Sequence, residues 1–303
     1  MERTLAEYPS YWYCLGIRDS VLVLAIEGNF PVSEYVSDHD RSHLTLPLRD
    51  RVIIVVGGTT GLGLSAVVAC IQAGGRVVAC GLDQESVDRT QELLGDKVRI
   101  IVSDATDPQT APRLVSLAQS EFGRLDALYH VAGGSGRKFG DGPLHEISVD
   151  AIQKTLELNL NSLILSNRSA VQYFLRRNVS GSILNLSSVL AEHPSPKYFA
   201  THVYAAAKSA IIGFTKSCAA YYADQGIRLN VLAPSLVETP MSQRAMQDSQ
   251  IVAFARSKQP LASGSILKPE DLDAAVVYFL SDQARMVTGQ VLSIDAGWSL
   301  MDG

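Results

Sequence analysis

A series of short, strongly apolar runs recurs along the chain after residue 50, and it limits the possible folds more than any other feature. The runs are rich in Val, Ile and Leu, and enough residues for a helix separate one from the next. Short strands that are apolar throughout predict a parallel sheet covered on both faces. The predicted strands are Val52–Val56, Arg76–Cys80, Val98–Val102, Ala127–Val131, Ser182–Leu186, Arg228–Leu232 and Gln290–Ile294.

Segments with helical spacing of apolar residues fill the intervals between these strands. They are Leu62–Gln72, Gln84–Leu94, Gln109–Phe122, Val149–Arg177, Ala205–Gln225 and Pro269–Leu280. Alternating strands and crossover helices predict an α/β fold, a doubly wound, Rossmann-type sheet of about seven parallel strands with helices on both faces.

The first 48 residues differ in character from the rest of the chain. They are irregular and rich in aromatic residues, and the run Val21–Ile26 favours one added strand. We therefore expect an N-terminal extension over residues 1–48 that packs on the body or contacts another subunit, with a substrate lid as the alternative. Residues 49–303 are expected to form the main domain, including a mobile cap over residues 236–266.

Composition narrows the classes of function. The chain is 47% hydrophobic and 19% charged, so it is able to fill a large core. A net charge of −5 argues against nucleic acid and against an anionic membrane surface as partners. Val21–Ile26 is too short for a membrane span or a signal peptide. The four cysteines lack C-x-x-C spacing and are interpreted as reduced thiols, so we expect a cytoplasmic protein without a bound metal.

The first strand of the array runs into a turn rich in glycine, Gly57-Gly58-Thr59-Thr60-Gly61-Leu62-Gly63, and then into a helix. Gly57 permits a tight turn, Gly61 lets the backbone approach a ligand, and Gly63 lets the helix pack closely on the strand. The free N–H groups and the positive dipole end of the helix would then face an anion. A strand, turn and helix in this order predict a dinucleotide-binding site, with a plain tight turn as the alternative.

Tyr204 and Lys208 are four residues apart in a predicted helix, so they lie on one helix face. A free tyrosine has a pKa near ~10, and an adjacent cation would lower that pKa towards the range of a proton-transfer group. The alternative interpretation of this pair is a surface cation beside a half-buried ring.

Ser187 and Ser188 end the strand that precedes Tyr204, and Asn159 lies in a helix further upstream. Together with the G-x-x-x-G-x-G spacing, residues 49–300 resemble the short-chain dehydrogenase/reductase family. The resemblance implies that Tyr204 is the acid/base, that Ser188 polarises a substrate carbonyl, and that Ser187 lies beside the cofactor. It also implies that Lys208 lowers the tyrosine pKa and binds the nicotinamide ribose, and that Asn159 supports a relay water. The alternative interpretations are an N-cap or turn serine for Ser188 and an ordinary buried polar residue for Asn159.

The resemblance also implies which residues bind the cofactor. They are Gly57, Thr59, Thr60, Gly61, Leu62, Gly63, Asp83, Asp104, Ala105, Ala132, Gly133, Tyr204, Lys208, Pro234, Val237 and Thr239. The sequence departs from the family pattern at His130, which we interpret as a satisfied residue at the end of a strand rather than a new catalyst. The segment Ala191–Val203 is longer than is usual and is expected to shape one wall of the substrate pocket.

The choice between NAD and NADP depends on the end of the second strand. Gly81 occupies the usual acidic position and Leu82 the usual basic one, while Asp83 follows as a substitute acid. Arg76 is at the opposite end of the strand. Because no cation is placed to pair with a 2′-phosphate, we expect NAD to be preferred, with NADP possible.

The sequence therefore predicts an NAD(P)-dependent alcohol dehydrogenase or ketone reductase (EC 1.1.1.-) that transfers hydride between NAD(H) and a small-molecule alcohol/ketone pair. A mostly apolar, cyclic substrate is favoured by the residues of the expected cap. The alternatives are a catalytically silent NAD(P)-binding regulator or scaffold and an epimerase or dehydratase. The resemblance further implies a homo-oligomer, a tetramer or a dimer, formed through the helices that carry Asn159 and Tyr204.

Overall fold

The computed structural model describes residues 13–14, 24–25, 46–195 and 197–301. The chain divides into two compact units, Met1–Thr45 and Leu46–Gly303. In the first unit, strand β1 (Tyr13–Cys14) pairs antiparallel with strand β2 (Leu24–Ala25) in a two-stranded sheet. The run Val21–Ile26 thus contains a short strand, whose partner is another strand of the same unit rather than the large sheet. The boundary expected after residue 48 stays a prediction.

The second unit is built on one seven-stranded sheet. Its strands are β3 (Val52–Val56), β4 (Arg76–Gly81), β5 (Val98–Val102), β6 (Ala127–His130), β7 (Gly181–Leu186), β8 (Ile227–Pro234) and β9 (Val291–Ile294). Their spatial order is β5-β4-β3-β6-β7-β8-β9, and every neighbouring pair is parallel. The predicted fold class is confirmed. The chain reverses its direction of progress across the sheet between β3 and β6, the place where ligands bind in open parallel sheets.

Helices cover both faces of this sheet. They are α1 (Gly61–Gln72), α2 (Gln84–Leu94), α3 (Thr110–Phe122), α4 (Val149–Leu156), α5 (Ser162–Arg177), α6 (His202–Tyr222), α7 (Gln243–Met246), α8 (Ser249–Lys258) and α9 (Asp273–Leu280). The predicted helix Val149–Arg177 is helical over its whole length, but a π-helical turn (Glu157–Asn161) that the sequence did not predict divides it into α4 and α5. Such turns are rare and occur often at functional sites.

Alternate residues of β3 enter two separate cores. Ile53 and Val55 pack in the cluster that includes residues of α1 and α9, whereas Ile54 packs with residues of α3 and α5. All five residues of β3 are buried. Side chains on successive strand positions point to opposite faces, so a sheet covered on both faces needs apolar residues at every position. This burial explains the uninterrupted apolar runs in the sequence.

Three further properties concern the described part of the chain. No helix there is both long enough and apolar enough to cross a membrane. No group of three or more acidic, histidine or cysteine side chains is gathered there in a way that could hold a metal ion. Cys70, Cys80 and Cys218 are free thiols.

Candidate active site

The carboxyl ends of β3, β4 and β6 form one wall of a cleft that contains two adjoining pockets. We call them the cofactor pocket and the substrate pocket. Tyr204, Leu62 and Thr239 line both pockets, so the two spaces meet at these side chains. The predicted cofactor residues in the cofactor pocket are Gly57, Thr59, Thr60, Gly61, Leu62, Gly63, Asp83, Asp104, Ala105, Ala132, Gly133, Tyr204, Lys208 and Thr239. The two remaining ones, Pro234 and Val237, line the substrate pocket instead.

The turn between β3 and α1 leaves no room for side chains at its glycines. Gly57 has a φ of +87°, and a Cβ there would lie 2.9 Å from the Ala132 backbone. A Cβ on Gly63 would lie 1.8 Å from the Gly57 carbonyl oxygen. Thr60 precedes α1 without a side-chain hydrogen bond to the first amides of the helix. These amides are therefore available to an anion, and the turn fits the pyrophosphate of a dinucleotide.

The absence of a side chain at Gly81 has a steric cause. A Cβ at this position would lie 2.4 Å from Thr59 Oγ1. The Ser86 hydroxyl lies 3.1 Å from that oxygen and 2.9 Å from Asp83 Oδ2. Asp83 caps α2 by accepting the Ser86 amide hydrogen at 2.8 Å. Hydrogen bonds from Ser86, backbone first and side chain second, lower the pKa of the Asp83 carboxyl, so this end of the pocket carries a stable negative charge.

Besides Asp83 and Lys208, two charged residues line the cofactor pocket, Asp104 and Lys138. Asp104 follows β5, and its Oδ1 accepts hydrogen bonds from the amide and the hydroxyl of Thr106, both at 2.8 Å. Lys138 lies in the turn Gly136–Phe139 after β6, and its ammonium is 4.8 Å from the centre of the Phe139 ring. The sequence did not single out this cation, since nothing in its local pattern marks it as a cofactor contact.

Asn159 lies in the π-helical turn and is fully buried. Its Nδ2 donates to the carbonyl oxygens of Gly134 and Thr155 at 3.0 Å and 2.9 Å, and its Oδ1 accepts the Gly134 amide hydrogen at 3.0 Å. A Cβ on Gly133 would lie 2.9 Å from Asn159 Oδ1. The widened turn therefore brings this side chain against the loop that follows β6 and fixes the loop beside the cofactor pocket.

Ser187 and Ser188 follow β7 and line the substrate pocket. Ser187 Oγ donates to the Lys208 carbonyl oxygen at 2.7 Å, which ties the end of the strand to α6. Ser188 Oγ accepts the Leu190 amide hydrogen at 3.2 Å and so caps the short helix Val189–Ala191. The same hydroxyl lies near enough to Tyr204 to act on the pKa of its phenol, which it lowers. The turn interpretation and the catalytic interpretation of Ser188 are thus compatible, because the side chain that caps the turn also lies beside Tyr204.

Tyr204 and Lys208 lie together on α6 as the spacing predicts, with Lys208 Nζ 5.5 Å from the centre of the Tyr204 ring. Lys208 Nζ also donates to the Leu186 carbonyl oxygen at 2.8 Å. The Tyr204 pKa is not lowered overall, contrary to what the spacing led us to expect. Burial raises it to about 12 and outweighs the opposite influence of Ser188. Burial also lowers the pKa of Lys208 to about 8, because both groups lose hydration in their charged forms.

Asp141 is a site residue that the sequence did not reveal. It is buried, and its two carboxylate oxygens accept the amide hydrogens of Val203 and Tyr204 at 3.1 Å and 2.8 Å. Thr201, the residue that precedes α6, contributes no side-chain cap. Asp141 therefore caps the helix from a distant loop and orients Tyr204. No local sequence signal links it to α6, since 62 residues separate Asp141 from Val203.

His130 ends β6 and is buried. Its Nδ1 lies 2.8 Å from Ser166 Oγ and its Nε2 lies 3.4 Å from Ser162 Oγ. Burial lowers the pKa of His130 to about 3, and the charge of Lys208 acts in the same direction. A neutral ring with partners for both nitrogens is a structural residue, and this confirms the interpretation of His130 as a satisfied residue at the end of a strand.

The substrate pocket lies between the Ser188–Tyr204 pair and the segments on either side of it, and it has a cavity volume of about 150 Å³. One wall is apolar and is formed by Leu190, Phe199, Leu236 and Trp298. Phe199 packs against Trp298 with ring centroids 5.9 Å apart. The segment Ala191–Val203 thus supplies part of the wall that was expected of it.

Comparisons with known proteins agree with this architecture. The family described as enoyl-(acyl carrier protein) reductase matches residues 56–299. The fold and its relatives place the protein among the oxidoreductases built on a doubly wound α/β sheet. Within that class, the chain belongs to the short-chain dehydrogenase/reductase family, whose members use NAD(P)(H) and act on alcohols and ketones.

Curated relatives are similar over most of their length. The chain is 30% identical to 3beta-hydroxysteroid dehydrogenase 2 of Eggerthella lenta, over 83% of this chain and 96% of the relative. It is 31% identical to cis-4-hydroxycyclohexanecarboxylate dehydrogenase of Sinomonas cyclohexanicum, over 82% of this chain and 97% of the relative. The solved structure of Thermoplasma acidophilum aldohexose dehydrogenase is also similar, with a TM-score of 0.71 and 26% identity over 84% of this chain and 96% of that one.

Proposed function

We propose that this protein transfers hydride between NAD(H) and an alcohol/ketone pair, with Tyr204 as the acid/base. The observation that carries the proposal is that Ser188 and Tyr204 line the substrate pocket together, and that Tyr204 also lines the cofactor pocket. A substrate in the substrate pocket would lie against both hydroxyls while its carbon faces the cofactor pocket. Bound nicotinamide would supply the hydride or accept it.

Four residues of the chain have separate roles in this reaction. Tyr204, whose pKa is raised to about 12, holds its proton at neutral pH and is suited to donate it to a carbonyl oxygen. Ser188 donates a hydrogen bond to the same oxygen as negative charge develops there. Lys208 would contact the nicotinamide ribose, and its charge would stabilise the phenolate that proton transfer leaves. Asn159 holds the loop after β6 in place. It would also support a water that relays protons.

We also propose a preference for NAD over NADP. Two features of the described residues support it: Gly81 leaves no side chain to pair with a 2′-phosphate, and the Asp83 carboxylate would repel one. Lys138 is the cation that could oppose this preference, because it lines the same pocket. A cyclic alcohol or ketone is the favoured substrate, in line with relatives whose names specify hydroxyl groups on rings.

The chemistry is tested by Tyr204→Phe, with Tyr221→Phe as the matched control on the same helix. Tyr221 is exposed and lies outside both pockets. We expect Tyr204→Phe to lower kcat by about 10²–10⁴-fold, the usual contribution of a general acid, and to leave the Kd for NADH unchanged. Turnover is followed by NADH absorbance on a panel of cyclic ketones. Unchanged turnover in Tyr204→Phe would reject Tyr204 as the acid/base. A wild type that binds the cofactor but turns over no ketone or alcohol would favour the silent regulator instead.

The cofactor preference is tested by kcat/KM for NADH and NADPH. Asp83→Asn is expected to improve use of NADPH, and Asp88→Asn on the exposed side of α2 is the control. Lys138→Gln tests the opposing cation. If this variant lowers kcat/KM for NADPH and leaves kcat/KM for NADH unchanged, Lys138 pairs with the 2′-phosphate. A wild type that prefers NADPH would overturn the assignment. The homo-oligomer that the family resemblance implies stays a prediction, which sedimentation measurements would test.

A further inference from the structure

Two arginines line the substrate pocket together with Ser188 and Tyr204. Arg137 comes from the turn Gly136–Phe139 after β6, and Arg244 comes from α7. The two are distant in sequence but close enough in space for the charge of Arg244 to lower the pKa of Arg137, after the larger effect of burial. Arginine side chains are positively charged at neutral pH. The lining of the pocket therefore carries two positive charges.

The nearest acid does not offset both charges. Asp141 lies close enough to Arg137 to act on its pKa, but its two oxygens already accept the amide hydrogens of Val203 and Tyr204. Arg137 itself donates to the Tyr198 carbonyl oxygen at 3.0 Å, which anchors one of its donors. Among the described residues, neither arginine forms a salt bridge. The remaining guanidinium donors are available to a ligand.

Other residues that line the same pocket are apolar. They include Leu190, Phe199, Leu236 and Trp298, and Trp298 is almost fully buried. A molecule that fills this space meets three kinds of surface: an apolar wall, two hydroxyls and two cations. The substrate that matches all three has an apolar body, one hydroxyl or carbonyl group, and one anionic group.

We propose that the substrate carries a carboxylate, that Arg137 and Arg244 bind this carboxylate, and that the reacting carbon is thereby placed at Ser188 and Tyr204. The inference rests on the proposed function and narrows its substrate class to cyclic hydroxy and oxo acids. A carboxylate is favoured because guanidinium groups bind it through paired N–H donors and because it is small enough for a pocket of about 150 Å³. Arg137 and Arg244 then act as specificity-determining residues.

The test compares 4-oxocyclohexanecarboxylate with its carboxamide, which has the same shape without the charge. The wild type is expected to have a KM for the acid at least about tenfold below that for the amide, the effect of one charge-assisted hydrogen bond. Arg244→Gln and Arg137→Gln should each raise the KM for the acid and leave that for the amide unchanged. Arg256→Gln, an exposed arginine on α8 outside the pocket, should leave the wild-type ratio in place.

Binding measurements separate this proposal from the proposed chemistry. Calorimetry with the NAD-bound protein compares ring and chain carboxylic acids with their amides, in the wild type and in Tyr204→Phe. Tighter binding of an acid than of its amide in both proteins, abolished by Arg244→Gln, supports the arginine pair even if turnover is absent. The proposal is overturned if no acid of the panel binds more tightly than its amide. It is equally overturned if Arg244→Gln leaves the difference unchanged in a protein that still binds NADH.

Discussion

The cofactor side and the substrate side of the cleft differ in how far backbone and side chains form their walls. On the cofactor side, backbone without side chains forms part of the wall, at the glycine turn after β3 and at Gly81 at the end of β4. On the substrate side the wall consists of side chains such as Arg137, Phe199 and Arg244, which come from separate loops and from α7. The first surface depends on the absence of side chains at fixed places, whereas the second depends on which side chains are present.

This difference explains how one fold serves many substrates. A backbone wall is set by the sheet and by the positive φ of Gly57, so any added atom disturbs it. A side-chain wall changes with each substitution without a change of the sheet. We therefore expect substitutions on the cofactor side to affect binding of the cofactor itself, and substitutions on the substrate side to alter selectivity alone.

Among the tests of this distinction, the largest effect is expected from Gly63→Ala. The new Cβ would lie 1.8 Å from the Gly57 carbonyl oxygen, so α1 or the turn must shift. Overpacking of this kind costs about 1–3 kcal/mol, and we expect the Kd for NADH to rise by about 10- to 100-fold. Gly213→Ala is the control, because a Cβ at this position in α6 has no neighbour within 4 Å. Unchanged NADH affinity in Gly63→Ala, measured by fluorescence titration, would contradict a backbone-built cofactor wall.

The same distinction decides how much could be predicted from the sequence. The seven strands and most helices were predicted because buried parallel strands leave an apolar pattern at every position. The glycine turn was predicted because it needs residues without side chains at a fixed spacing. The π-helical turn (Glu157–Asn161) was missed, since the apolar spacing that predicts a helix does not show where the backbone changes from i→i+4 to i→i+5 hydrogen bonds.

A second prediction concerns the substrate side. Phe199 lines the substrate pocket and packs against Trp298, and it lies outside the cofactor pocket. Phe199→Ala removes part of the apolar wall, so we expect the KM for a cyclic ketone to rise by about tenfold. The Kd for NADH should stay at its wild-type value, as it should in the exposed control Tyr221→Ala. A parallel loss of NADH affinity in Phe199→Ala would mean that the two sides are not separable.

Contacts between distant residues account for the part of the site that sequence reasoning missed. Asp141 caps the helix that carries Tyr204 from a loop 62 residues away, and Arg137 lies near enough to Arg244 for the two charges to interact. Neither contact has a spacing that a single sequence reveals. The pKa of Tyr204 was misjudged for a related reason: helical spacing places Lys208 beside it but does not show that both are buried, and burial is the larger influence.

The smallest expected effect comes from the contact between α9 and α1, which lies beneath the cofactor side. Asp273 on α9 accepts a hydrogen bond from Ser65 on α1 at 2.9 Å, and burial raises the pKa of Asp273 to about 6. In the unfolded chain the carboxyl ionises near its ordinary pKa of 3.8. Between pH 3.8 and about 6 the folded protein therefore binds more protons than the unfolded chain. The contribution of Asp273 to the free energy of unfolding is complete below this range and is lost as pH rises through about 6.

Asp273→Asn removes this dependence while an amide oxygen can still accept from Ser65. Relative to the wild type, we expect the variant to gain about 1 kcal/mol in the free energy of unfolding between pH 4 and pH 7, a value reduced for partial solvent exposure. Glu92→Gln on the exposed side of α2 is the control and should show no such gain. Urea unfolding at both pH values measures the difference. If the variant and the wild type differ by the same free energy of unfolding at pH 4 and at pH 7, water reaches the Asp273 carboxylate beneath α1. The cofactor side is then supported by its backbone turn alone.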